Sequence, residues 1–162
     1  MGSSPTNMRL SNSSSNNRRG AATVETALVL PLALLFMFGI FEYGRYFMTM
    51  QLLNNAAREG ARYAIVHLQP VTLGSTTYGN ATSDVANVVN SVTAGVTLNN
   101  QNINVYASDA QGNNLGSWTG AQAGQSVTVQ ITGNFQFMAA AFLGLPSSIA
   151  VNVKSAMDAE AN

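Results

Sequence analysis

The distribution of apolar and polar positions divides the chain into three stretches. Residues 1–20 are rich in Ser and Asn and show no periodicity, which predicts a disordered leader. From Thr26 to Phe41 follow 16 uncharged residues dominated by Leu, Phe, Met and Val, bounded by Glu25 and Glu42. As a helix this run covers roughly 24 Å. Extending it back over Ala21 to Val24 brings it close to the roughly 30 Å of a bilayer core. A helical pattern then continues through Tyr43, Tyr46, Phe47, Met50, Leu53 and Ala57 at spacings of three and four. The expectation is one helix over 21–68, about 70 Å long, with its membrane part at about 21–41. Pro31 lies inside it and should kink or loosen it, because proline removes one helical hydrogen bond. Transmembrane helices tolerate such a break.

Beyond Pro70 the pattern changes. Val85, Val88, Val89 and Val92 follow a helical template, with Ser83 as the expected N-cap, Asp84 in the first turn and Gly95 as the stop. The rest alternates with period two. Ile103 and Val105 predict a short strand. Val127 to Phe137 predicts a longer one, with Thr128, Gln130 and Thr132 on its other face. Ile149, Val151 and Val153 predict a third. Such alternation marks an antiparallel sheet covered on one face. Gly133 falls on the apolar face, where a bulge or a close helix approach is expected. The apolar connection Met138 to Leu145, ending at Pro146, reads as core. The predicted fold class is α+β: a long N-terminal transmembrane helix and a head over 69–162. The head has one short helix and a three- to four-stranded antiparallel sheet packed on the helix's back half.

Charge adds orientation. Charged residues make up 9% of the chain, against about 25% in ordinary soluble domains. The seven basic and seven acidic side chains cancel, which gives no reason to expect nucleic acid as a partner. Arg9, Arg18 and Arg19 precede the apolar run, so that end should stay cytoplasmic and the head should lie outside. Gly39 to Gly44 is a poor signal-peptidase site. The Met1-Gly2 start matches a myristoylation pattern that chance explains. The chain has no cysteine, so its fold holds without disulfides.

Several residues then ask for a reading. Glu25 beside the apolar run is the most informative: a carboxylate costs a few kcal/mol at a bilayer centre. A plain anchor has no use for it; a subunit that meets a positive charge in the membrane does. Glu42/Arg45 and Glu59/Arg62 read as surface i,i+3 pairs worth a few tenths of a kcal/mol each. Ala56, Gly60 and Ala64 form a smooth stripe suited to close packing, against this protein's own sheet or against neighbouring subunits. His67 is the single histidine; without a second His or a Cys it supports neither a metal nor a nucleophilic site. Asp109 to Asn114 fails the EF-hand template and reads as a turn. Asn80-Ala81-Thr82 is a glycosylation sequon by pattern alone. The Gly/Asn/Gln-rich stretch 107–126 carries the single tryptophan, Trp118, as a possible surface contact at the head's tip, or as a ring folded back over the sheet.

The blocks Arg19 to Glu25, Ala27 to Leu32, Phe41 to Arg45 and Asn54 to Ala64 together resemble the TadE-like family: pseudopilins, or minor pilins, of the tight adherence (Tad/Flp) pilus. The resemblance covers about residues 18–66, and the head resembles the family, with its pilin-like fold, in layout alone. It implies cleavage by a prepilin peptidase after Gly20, leaving Ala21 as the new N-terminus and Glu25 as the charge partner of a neighbouring subunit's α-ammonium. It also implies a non-enzymatic role without cofactor, metal or small-molecule substrate. The implied partners are other Tad pilins and pseudopilins, the inner-membrane assembly platform and, through it, an ATPase. The protein would sit in a bacterial inner membrane and then in a pilus at the cell surface. Thr26 departs from the Phe or Tyr usual after this Glu in the family. The rival expectation is an uncleaved, membrane-anchored envelope binding module. An envelope enzyme is disfavoured by the head's lack of His, Cys and clustered carboxylates.

Overall fold

The computed structural model describes residues 14–69, 71–73, 76–78, 81–138, 140 and 146–159, with side chains from residue 20 onward and outside 71–78. Helix α1 runs Ser14–Val66. A hairpin of β1, Val71–Leu73, and β2, Thr76–Tyr78, follows, and then α2, Thr82–Val92. Strands β3, Asn99–Ser108, β4, Asn114–Gly116, β5, Ser126–Gln136, and β6, Ser148–Asp158, form one antiparallel sheet in the order β4-β3-β5-β6. A 3-10 turn at Trp118–Gly120 lies between β4 and β5. The α+β class, the long apolar helix, the short helix and the antiparallel sheet are as the sequence predicts; the β1–β2 hairpin is additional.

The chain divides at Ile40/Phe41 into two units. In the first, α1 begins earlier than expected: Ser14 to Gly20 are helical rather than disordered. Adding residues to a helix that already exists fixes one residue per hydrogen bond, so polar residues are readily recruited at its end. Residues 1–13 lie outside the described part. Side chains from Gly20 to Ile40 are all exposed, including Leu28, Leu32, Phe36 and Ile40. The helix runs unbroken through Pro31, leaving the Ala27 carbonyl without its helical donor.

In the second unit the core lies between the back half of α1, α2 and one face of the sheet. Leu53, Ala56, Ala57, Ala61 and Ala64 of α1 meet Val85 and Val89 of α2 and Val127, Val129 and Ile131 of β5, all fully buried. The small-residue stripe thus packs on this protein's own head. A Cβ on Gly60 would stand 2.8 Å from Val89 Cγ2, so glycine is what lets α2 close on α1. Gly133 is crowded by Leu98, with a built Cβ only 3.0 Å from the Leu98 Cβ. The close neighbour there is thus the segment entering β3. The register shift lies in β3 between Asn99 and Asn102, where Asn100 has φ 53°.

Three local expectations are corrected. Ser83 lies inside α2; the N-cap position is Ala81, without a side-chain cap bond. Strand β3 is far longer than the Ile103/Val105 pair implied, because its Asn-rich start pairs with β5 although it lacks apolar alternation. The sheet's second face is not wholly solvated: Tyr106, Ser108 and Thr128 are buried there, and the two hydroxyls are 2.7 Å apart in a hydrogen bond.

Candidate functional site

Glu25 and its neighbours occupy the exposed apolar stretch of α1. Gly20 and Ala21 are helical and exposed, one turn before Glu25. Thr26 turns its hydroxyl back to the Ala22 carbonyl at 2.9 Å. This satisfies the hydroxyl within the helix itself. Glu25 lines an open groove with Thr26, Val29, Leu30 and Ala33, all on α1 itself. A carboxylate so placed presents one negative charge on an uncharged surface, within reach of any helix lying alongside.

A second constellation, at the start of the other unit, escapes a sequence reading. Glu42 follows the apolar run directly, yet it is only 7% exposed. Its Oε2 accepts a hydrogen bond from Arg45 Nη1 at 2.8 Å, and its Oε1 accepts the backbone N–H of Met138 at 2.7 Å. The Arg45 guanidinium stands over the Phe135 ring, 5.3 Å from its centre. Tyr46 and Phe137 each meet Phe135 edge-on, at 5.6 and 5.3 Å. Thr49 donates its hydroxyl to the Arg45 carbonyl. The expected surface pair Glu42/Arg45 is therefore a partly buried clamp that ties the end of β5 to α1. The partner was invisible because Met138 is 96 positions away. Glu59 and Arg62 do remain exposed.

Of the two readings of Trp118, the structure has the ring folded back into the core, and the possible surface contact is corrected. Its ring is 2% exposed and belongs to the core, and its Nε1 donates to Thr82 Oγ1 at 3.1 Å. The stretch around it is not a structureless loop, since β3 runs to Ser108 and both β4 and the 3-10 turn lie within it. Burying an indole requires both an apolar bed and a partner for its N–H; Thr82 supplies the second.

The β3–β4 turn is built on Asp109. Its Oδ1 accepts the N–H groups of Gln111 and Asn113, and its Oδ2 accepts Asn113 Nδ2 at 2.8 Å. The Asn113 side chain, followed by its backbone N–H, holds the Asp109 carboxyl below the ordinary aspartate range. His67 stacks on Tyr63 at 4.0 Å and its Nδ1 meets the Tyr63 carbonyl at 2.9 Å, so that nitrogen carries the proton. Among the described residues no three of His, Cys, Asp and Glu come together as metal ligands. An open, polar groove of about 380 Å³ lies along Asn104, Tyr106, Asn114, Ser117 and Gln130, without a titratable pair in it.

Comparison with known proteins places this geometry. Residues 20–62 match the model of the TadE-like protein family, so this segment of the chain is similar to TadE-like proteins. The matched block starts at Gly20 and takes in Glu25, the apolar run, the Glu42/Arg45 pair and Gly60. Its helix is long and apolar enough to cross a membrane. No curated protein and no solved structure matches the chain.

Proposed function

We propose that this chain is a non-enzymatic minor pilin or pseudopilin of a Tad pilus. A prepilin peptidase cuts it after Gly20, and Glu25 then guides it into the assembly. The observation that carries this reading is the carboxylate of Glu25, exposed and the single charged side chain of residues 20–41, inside the TadE-like segment. Cleavage after Gly20 creates an α-ammonium on Ala21. In lipid, that ammonium and a carboxylate are each costly alone, and their pairing between subunits offsets much of the cost. The pair also sets the axial register of one helix against the next. Gly20 suits the cut for a second reason. A protease needs extended backbone, and glycine weakens a helix by about 1 kcal/mol relative to alanine, which eases local unwinding. The pilus platform and sibling pilins are the partners this reading requires, and the inner membrane is its site before assembly.

The test is the intact mass of membrane-extracted protein from a host carrying the matching peptidase. A species beginning at Ala21 is expected. Retention of residues 1–20 beside an active peptidase would overturn the processing step and leave an uncleaved anchored module. Glu25→Leu then separates processing from assembly: cleavage should persist while incorporation into pili falls at least tenfold. Normal incorporation of Glu25→Leu would remove the charge-pairing role.

A further inference from the structure

We propose that the sheet face turned away from α1 carries a binding groove for a neutral carbohydrate, built on β3, β4 and β5. The groove's volume of about 380 Å³ falls within the roughly 300–1,000 Å³ of small-ligand clefts. It lies wholly inside the unit 41–162 and takes no residue from the apolar run. Strand geometry assembles it. Asn104 and Tyr106, two apart on β3, share one face. Asn104 stands directly opposite Gln130 of β5, and Asn114 enters from the paired start of β4. Tyr106 is the observation that points to a ligand. Its side chain is only 7% exposed, and its hydroxyl makes no hydrogen bond among the described residues. No fully buried side-chain polar atom there lacks a partner, so the hydroxyl is the part of Tyr106 that reaches the groove. Buried tyrosine hydroxyls usually find a partner; this one is left for a partner from outside the chain.

The neighbouring polar groups are already oriented. Gln130 donates Nε2 to Asn152 Oδ1 at 3.0 Å, which leaves its Oε1 as an acceptor. Asn114 Oδ1 accepts the Gly116 N–H at 2.7 Å, which leaves its Nδ2 as a donor. Asn104 is exposed, with both ends of its amide open. The groove thus offers donors and acceptors side by side and no charge, since no charged side chain lines it. Lys154 stands opposite Gln130 on β6, outside the lining. A phosphate or an acidic chain is recognised by Arg and Lys, which the lining lacks. An apolar ligand would leave the amides and the phenol unpaired, which is costly. Peptide recognition draws its specificity from pockets for side chains; here Val105 is the one apolar side chain among amides and hydroxyls. Sugar hydroxyls each donate and accept, so adjacent ones on a ring answer a mixed, uncharged set.

The isotope-labelled full chain, in a zwitterionic detergent that carries no sugar, is titrated with maltotetraose, cellotetraose, mannotetraose and chitotetraose. Tetragalacturonate and an uncharged Gly/Ser peptide serve as comparators. The side-chain amide NMR signals of Asn104, Asn114 and Gln130 should shift with at least one neutral sugar at millimolar concentration, while that of Asn54 on α1 stays in place. Tyr106→Phe removes the hydroxyl alone and should weaken this binding about threefold to tenfold. Asn104→Ala should weaken it likewise, and Lys154→Gln should leave it unchanged. Trp118 fluorescence checks that each variant is folded. No shift with any neutral sugar would overturn the proposal, as would wild-type affinity in folded Tyr106→Phe. Tighter binding of tetragalacturonate that is lost in Lys154→Gln would assign the face to an anion instead. Tighter binding of the peptide at the same amides would assign it to a protein partner. Each outcome is read without reference to cleavage after Gly20, so the groove and the pilin reading stand or fall separately.

Discussion

At the scale of single residues, Glu42 has the most to lose. Its carboxylate serves a backbone amide and a guanidinium at once, and it is nearly buried. Removing it leaves the Met138 N–H without this acceptor and Arg45 without its counter-charge. Hydrogen bonds to charged groups contribute about 1.5–3 kcal/mol, and Arg45 is a third exposed, which discounts the ionic part. Glu42→Ala should therefore destabilise the head by about 2 kcal/mol in urea melts followed by Trp118 fluorescence. Glu42→Gln keeps an acceptor for Met138 and should lose clearly less. Equal losses would assign the whole effect to the ion pair. Asp109 makes a prediction of the opposite kind, readable in pH rather than by mutation. Its folded pKa is lowered, chiefly by Asn113, so the stability it contributes is present above the ordinary aspartate pKa and is lost as pH falls through the lowered value. A carboxyl-carbon titration by NMR should place Asp109 below the ordinary aspartate range. Its midpoint should move up toward the ordinary range in Asn113→Ala. An unchanged midpoint would detach the shift from the turn.

At the scale of elements, Gly60 decides how closely two helices pack. Valine on a helix is held largely in one rotamer, so Val89 Cγ2 cannot swing away from a new methyl. Gly60→Ala should cost about 1–3 kcal/mol by overpacking. In the Val89→Ala background the same substitution should cost distinctly less. A double-mutant cycle with no coupling would show that the helices separate freely. The Ala/Gly stripe was legible in the sequence because helical spacing is local. Its occupant, α2, was not, since that depends on how the chain returns. The same distinction explains the strands. Val127, Val129 and Ile131 alternate and were read correctly. The Asn-rich start of β3 carries no such signal, and its strand character comes from hydrogen bonding to β5. For Trp118 the sequence left a surface contact and a ring folded back over the sheet both open, because neither its apolar bed nor Thr82, 36 positions away, has a local signature.

At the scale of the whole molecule, the question is where the head begins. Residue pattern put its boundary near residue 69, where helical periodicity gives way to strands. The packing places Leu53, Ala56, Ala57, Ala61 and Ala64 at the centre of the head's core. These α1 residues have no exposed surface at all. A head without them would open its β5 face, Val127, Val129 and Ile131, to water. Each fully buried Val, Leu or Ile contributes about 1.5–3 kcal/mol. Net domain stabilities are about 5–15 kcal/mol, so losing that bed exceeds what the remainder can absorb. The Glu25 site and the apolar run, by contrast, contribute nothing to this core. A fragment 41–162 should therefore fold alone and unfold cooperatively, with the near-ultraviolet circular dichroism of a fixed Trp118. A fragment 69–162 should show no such signal and should aggregate or remain unfolded. A folded 69–162 fragment would mean that the back half of α1 is an accessory to the sheet, and that the Gly60 and Glu42 contacts dock two independent bodies instead of completing one.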